Sequence, residues 1–156
     1  FIEKYAIDKY GLNKADAIKF WNALKLAPYE VNQGKVNKPN FTVKQLVDSA
    51  ISTFSTLKQL KPTKNTEEFS HYLLMANIRY NYLVTMEVEV ALNQSTFKLA
   101  DASSLLKKLT VLNTAEVDRQ FKQLNAYLLF DKEIEEETRL RNFRYIDLLD
   151  RLNKLK

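Results

Sequence analysis

Cysteine is absent from the 156 residues. That removes disulfides, thiolate zinc sites, iron–sulfur clusters and cysteine nucleophiles together. Histidine occurs once, as His71. A multi-histidine metal site cannot form, and a serine–histidine–aspartate triad would have to be built on that residue alone. The two glycines, Gly11 and Gly34, are too few for the loops that cradle phosphates in P-loop or dinucleotide-binding folds. Prolines stand only at 28, 39 and 62. So few turn formers argue against an all-β chain with many tight turns. No run of 18 apolar residues occurs, so no segment reads as a membrane-spanning helix. No signal peptide is visible. The chain begins at Phe1 rather than methionine and reads as a processed or excised piece. The sequence leaves its compartment open.

Hydrophobic residues make up 46% and charged residues 28%, the balance of a chain that can bury a core. A chain this long buries roughly two-thirds of its unfolded surface. Lysine and arginine exceed aspartate and glutamate by 24 to 19, a net charge of +5. The excess is uneven. Residues 32–65 carry six lysines against the single Asp48, whereas all six arginines lie at or beyond Arg79. A mild positive field favours anionic partners.

Apolar spacing points to helices throughout. Residues 1–10 place Phe1, Tyr5 and Ile7 at helical spacing, and Gly11 is a stop that accepts the left-handed conformation. Asn13 caps a second helix with Asp16 in its first turn. Its expected core stripe is Ala17, Ile18, Trp21 and Leu24, and Pro28 ends it. Residues 28–41 read as a loop. Thr42 with Gln45 forms a capping box before a helix over about 43–60, which carries Leu46, Ala50, Phe54 and Leu57 on one face. Asn65 with Glu68 and Asn113 with Glu116 repeat the capping pattern. Residues 66–93 read as one long helix with a stripe of Phe69, Leu73, Ala76, Tyr80, Leu83, Val84 and Val90. Over 84–90, however, apolar and polar residues alternate with a strand period. Short helices are expected over 100–109 and from 113. The last segment, 132–155, has the clearest helical pattern, with Ile134, Arg141, Tyr145, Leu148 and Leu152 on one side. Glu135–Arg139, Glu137–Arg141 and Asp147–Arg151 are i,i+4 pairs in the favourable order. The expected fold is all-α: a single compact bundle of six or seven helices in one domain. It comprises a helical hairpin (1–27), a loop (28–41) and a main bundle (42–156) with a long C-terminal helix.

Candidates for chemistry are few. Glu68 and His71 form the E-x-x-H pair of di-iron bundles, but such sites need the motif twice. Ser70 and Glu67 lie near His71 in sequence, but neighbouring residues on a helix point in different directions, so it reads as a surface or interhelical histidine. The acidic run Glu133, Glu135, Glu136 and Glu137 lacks the glycine turn of a calcium loop. It reads as a solvated face with ion pairs, or as an acidic docking face. Tyr72, Tyr80 and Tyr82 surround Arg79 in sequence, and Trp21 is expected in the core. No metal site, catalytic constellation or cofactor is expected.

The segment FIEKYAIDKYGLNKADAIKFWNAL, residues 1–24, resembles the leading helices of B-type membrane-bound lytic transglycosylases. The rest of the chain shows nothing like that family's catalytic-glutamate core, so the resemblance transfers no function.

These features point first to a non-enzymatic helical module that binds another protein, as an adaptor, regulatory or effector-like domain. Self-association is included. Leu140, Phe143, Arg144 and Leu149 on the last helix are its candidate contacts, since an exposed apolar stripe there means interaction. The second reading is nucleic-acid binding through Lys14, Lys19, Lys25, Lys35, Lys38 and Lys44, with the first two helices as a helix-turn-helix in outline. A third is a helical pocket for an apolar ligand. Carboxylate-based hydrolysis, which needs only Asp and Glu, is a fourth.

Overall fold

The computed structural model describes residues 1–25, 31–32, 35–36 and 42–155. The fold is all-α. Seven α-helices follow one another among the described residues: α1 (Ile2–Tyr10), α2 (Lys14–Lys25), α3 (Val43–Gln59), α4 (Thr66–Asn93), α5 (Ala102–Thr110), α6 (Thr114–Asn125) and α7 (Asp131–Asn153). A 3₁₀ turn, Leu99–Asp101, leads into α5. Within the expected loop, Val31 pairs with Val36 and Asn32 with Lys35 in a two-residue antiparallel ladder. The remainder of 28–41, with Pro28, Gly34 and Pro39, lies outside the described residues. None of the described helices is long and apolar enough to cross a membrane. The chain divides into two compact units, Phe1–Tyr80 and Asn81–Lys156, and the boundary falls within α4.

Unit 1 begins with the turn that its glycine permits. Gly11 closes α1 at φ +64°, in the left-handed region. A Cβ there would be strained by that φ and would also collide with Thr63 Oγ1. The close approach has a purpose. A helix leaves its last carbonyls without intrahelical partners, and here residues 63–65 supply them. The Thr63 and Lys64 amides donate to the Tyr10 carbonyl at 2.9 and 3.1 Å. Thr63 Oγ1 donates to the Gly11 carbonyl at 3.2 Å, and Asn65 Nδ2 to the Lys9 carbonyl at 2.6 Å.

Packing around this joint is aromatic. Tyr10 is fully buried, with the rings of Phe69, Phe20, Tyr72 and Tyr5 centred 5.4–6.1 Å away. That nest fixes the faces of the first two helices. α1 buries Ala6 and Tyr10, leaving Phe1 and Tyr5 exposed, so the expected Phe1–Tyr5–Ile7 grouping is not its core face. α2 buries Ala17, Phe20 and Ala23, not the expected Ala17–Ile18–Trp21–Leu24 stripe. Phe20 enters the nest, which turns Ile18 out to solvent. Trp21 is left half-buried, with Lys25 Nζ 5.0 Å from its ring centre. α3 packs on α2. It starts at the expected capping box of Thr42 and Gln45, and its buried Thr53 hydroxyl donates to the Ala23 carbonyl at 3.1 Å.

Unit 2 is built on the second half of α4. Asn81, Leu83, Val84, Thr85, Met86 and Val88 are all buried. Four consecutive buried positions, 83–86, cover most of the way round a helix, so this stretch is enclosed on nearly every side. That enclosure explains the strand-like alternation at 84–90: the segment is helix, and its intervening polar residues each have a local solution. The Thr85 hydroxyl donates back to the Asn81 carbonyl at 2.7 Å. Glu87 and Glu89 reach the edges and pair with Lys108 and Arg144. α5 adds Ala102, Leu105, Leu106 and Leu109, α6 adds Val117, and α7 adds Ile134, Leu148 and Leu152. Both α5 and α6 pack against α7.

Two expected caps form differently. Asn65 stands at φ +47° and spends its side chain on the Lys9 carbonyl, while Glu68 turns toward α1. Asn113 occupies the N-cap position of α6 without a side-chain cap bond, because its Oδ1 accepts from Asn81 Nδ2 at 3.3 Å. In both cases a tertiary partner outcompetes the local one.

Substituting Gly11→Ala forces a side chain into the left-handed turn against Thr63. The expected loss is about 2–4 kcal/mol of unfolding free energy. Denaturant titration followed by the fluorescence of Trp21, the single tryptophan, measures it in unit 1.

Candidate partner-binding surface

The surface of interest lies on α7. This helix forms because its apolar residues recur at 4-3 spacing, and it begins where Glu133 Oε2 accepts the Phe130 amide at 2.8 Å. Ile134, Leu148 and Leu152 define the inward side. At 100° per residue, Phe143 falls opposite that side, with Leu140 and Ile146 flanking it. All three are open to solvent, at 55% for Leu140, 65% for Phe143 and 60% for Ile146. They form a ridge of bulky apolar side chains with no role in the core of unit 2.

The four expected contact residues therefore divide. Leu140 and Phe143 are exposed on the ridge. Leu149 is half-buried and turned from it. Arg144 is committed to the fold: its Nε pairs with Glu89 at 3.3 Å, and its Nη1 lies 3.2 Å from Met86 Sδ. Ile146 is the ridge member that the four omitted. Its spacing, three residues past Phe143, was visible in the sequence.

Ion pairs along α7 also depart from the i,i+4 expectation. Arg139 takes Glu136, three residues back, through two bonds of 2.7 and 2.9 Å. That pairing holds the Glu136 carboxyl below its usual range. Arg141 reaches Asp118 on α6 at 2.9 Å rather than Glu137. Its guanidinium stacks 4.5 Å from the Phe121 ring centre, and Asn142 donates to the second Asp118 oxygen at 2.8 Å. The Arg141 Nε is buried without a partner. Asp147–Arg151 forms as expected, at 3.7 Å, with Arg151 also donating to Asn93 at 2.8 Å.

The lysines of the nucleic-acid reading do not make one free field. Lys14, Lys19 and Lys25 are exposed on α2, but Lys19 lies roughly 130° round the helix from the other two. Lys19 pairs with Asp16 at 3.2 Å and Lys44 with Asp48 at 2.9 Å. Lys25 lies over Trp21. Lys35 is placed by its backbone in the short ladder, and Lys38 lies outside the described residues. The aromatic group proposed around Arg79 disperses as well. Tyr72 joins the nest at Tyr10, Tyr80 stacks on Phe54 at 6.2 Å, and Tyr82 is exposed in unit 2.

Glu68 of the E-x-x-H pair is engaged structurally. It accepts the Tyr10 hydroxyl at 3.0 Å and pairs with Lys9 at 3.0 Å. These contacts, Lys9 first and then Tyr10, hold the Glu68 carboxyl below its ordinary range, and Glu68 raises the Lys9 ammonium in return. Burial, then hydrogen bonding to Tyr72 and Glu68, pushes the Tyr10 hydroxyl up. It stays a proton donor. Among the described residues no group of three or more His, Cys, Asp or Glu side chains is placed to hold a metal. A surface cavity of about 280 Å³ in unit 2 mixes Ala91, Phe97 and Leu105 with Gln94, Asp101 and Lys108. That lining is too polar to favour an apolar ligand. Compared with protein-family models, curated proteins and solved structures, the chain matches none. The short resemblance at residues 1–24 gains no support from them.

Two measurements check these assignments. Glu68 has a lowered folded pKa. Its contribution is therefore present above the ordinary carboxylate value of about 4.3 and disappears as pH falls through the folded value. Wild type should exceed Glu68→Gln in stability at pH 6, and the gap should close toward pH 3 when unfolding is followed by Trp21 fluorescence. On α7, Arg141→Ala leaves Asp118 with Asn142 alone, removes the packing on Phe121 and should cost about 1–2 kcal/mol. Phe143→Ser on the outward ridge should stay within about 0.5 kcal/mol of wild type by thermal melting.

Proposed function

We propose that this chain is a non-enzymatic helical module that binds another protein through the outward face of α7. The observation that supports the reading is the ridge of Leu140, Phe143 and Ile146, exposed opposite the helix's buried side. Keeping three large apolar side chains in water gains the fold nothing, and burying them against a partner recovers that hydrophobic free energy. An apolar centre with charged flanks is the usual anatomy of such a contact. Here Glu136 and Arg139 flank the ridge on one end, and Asp147 and Arg151 on the other. Nucleic-acid binding is the weaker reading. Among the described residues Lys14 and Lys25 lie on a different side of α2 from Lys19, and Lys19 and Lys44 already have carboxylate partners.

A photoreactive phenylalanine analogue in place of Phe143 tests this in an extract of the source cells. The expected result is a discrete adduct that protease destroys and nuclease does not. Leu140→Ser with Ile146→Ser should abolish it. An adduct no stronger than that from the same analogue at exposed Met75, or one that nuclease removes, would sink the proposal.

A further inference from the structure

The outward face of α7 carries an order of charge as well as an apolar centre. At 100° per residue, every position within about 60° of Phe143, from Lys132 to Lys154, is exposed. The face is therefore one open strip along the helix. Phe143 stands at its middle, with Leu140 and Ile146 about 60° to opposite sides. Arg139 precedes this centre and Asp147 follows it, about 40° to opposite sides of Phe143. Their side chains keep 58% and 54% of their surface in water, so the pairs with Glu136 and Arg151 leave room for a further contact. The three apolar side chains offer on the order of 350 Å². With the charged residues on the same strip the face reaches roughly 600 Å², the low end of what each partner buries in a specific complex.

This order makes the face complementary to itself in one sense only. A two-fold axis through Phe143, perpendicular to α7, runs two copies of the helix antiparallel. It sets each residue before Phe143 level with the residue equally far beyond Phe143 in the other copy. Leu140 then meets Ile146, and Arg139 meets Asp147, at both ends of the seam. The two Phe143 rings share the centre, with leucines along one side and isoleucines along the other. Farther out Glu136 comes level with Asp150. Each of these already holds a cation of its own chain, Arg139 at 2.7 Å and Lys154 at 2.6 Å. Counting Arg151, the partner of Asp147, each end gathers three carboxylates and three cations and is neutral. A parallel arrangement sets Arg139 against Arg139 and Asp147 against Asp147, and like charges across a contact are costly. We infer that α7 docks a second copy of this chain, antiparallel across Phe143, with Arg139 and Asp147 as the reciprocal ion pair. The inference rests on the α7 reading and names its partner.

Sedimentation of the purified full chain tests it, with charge reversal at the two positions. Wild type should be dimeric at about 100 µM, the weak end of specific association. Arg139→Asp sets acid against acid, and Asp147→Arg sets base against base. Each should weaken the dimer at least about fivefold with an unchanged circular-dichroism melt. An equal mixture of the two variants should dimerise again, because each then meets the opposite charge on the other. Restoration by mixing cannot come from repair of a misfolded chain. A monomer at that concentration would overturn the inference, as would a dimer indifferent to either reversal or a mixture that stays monomeric. The photoreactive analogue at Phe143 then separates the two readings. A foreign protein in the adduct keeps α7 as a docking face while the dimer fails, and no adduct from a monomeric chain ends both.

Discussion

Unit 1 depends on satisfying the carbonyl end of α1. Those carbonyls end a helix of only nine residues and have no partners within it. Residues 63–65, more than fifty positions on, supply four donors to the Lys9, Tyr10 and Gly11 carbonyls. The approach is possible only because position 11 has no Cβ. Once the joint closes, Tyr10 is fixed at the centre of the aromatic nest, and α2 must present Phe20 to it. The face of α2 is thus decided at a distance, by a turn it does not belong to.

Unit 2 solves a related problem by another route. Its central stretch of α4 carries Asn81 and Thr85 into the interior, where unpaired polar groups are costly. Thr85 returns its hydroxyl to its own helix, and Asn81 gives its amide to Asn113. The second bond has a consequence: Asn113, which local preference would use as a cap for α6, is drawn into the tertiary network. Arg141 shows the same trade. It leaves its neighbour Glu137 for Asp118 and Phe121, tying α7 to α6. The helix surface then keeps Glu137 without a counter-ion.

What was legible in the sequence follows from this physics. Element type and extent depend on local features: Gly11 as a stop, the Thr42–Gln45 box, the periodicity of α7 and the absence of turn signals within α4. Those features are found where the residues placed them. Helix faces and caps depend on competition with distant groups. Ile18 and Trp21 have the spacing of a core stripe, but nothing in residues 14–25 records the claim that Tyr10 and Phe69 make on Phe20. Asn65 and Asn113 have the right identity for caps, and each had a better partner elsewhere. The candidate surface was half legible for the same reason. Leu140 and Phe143 are exposed because α7 has one inward side, which the spacing shows. Arg144 and Leu149 needed knowledge of where Glu89, Met86 and the rest of the unit lie.

The outward face of α7 is a place where local consistency breaks. Elsewhere several odd residues have a compensating partner: the positive φ of Asn65 accompanies a bond to Lys9, and the buried Asn81 accompanies Asn113. Leu140, Phe143 and Ile146 stay exposed among the described residues. Sequences that fold to one state satisfy local and global preferences together, and violations concentrate where function requires them. The apolar ridge of α7, with ion pairs of mixed sign near both ends, is the surface on which the proposed protein-binding reading rests. The mixed rim suits a partner with paired charges of both signs.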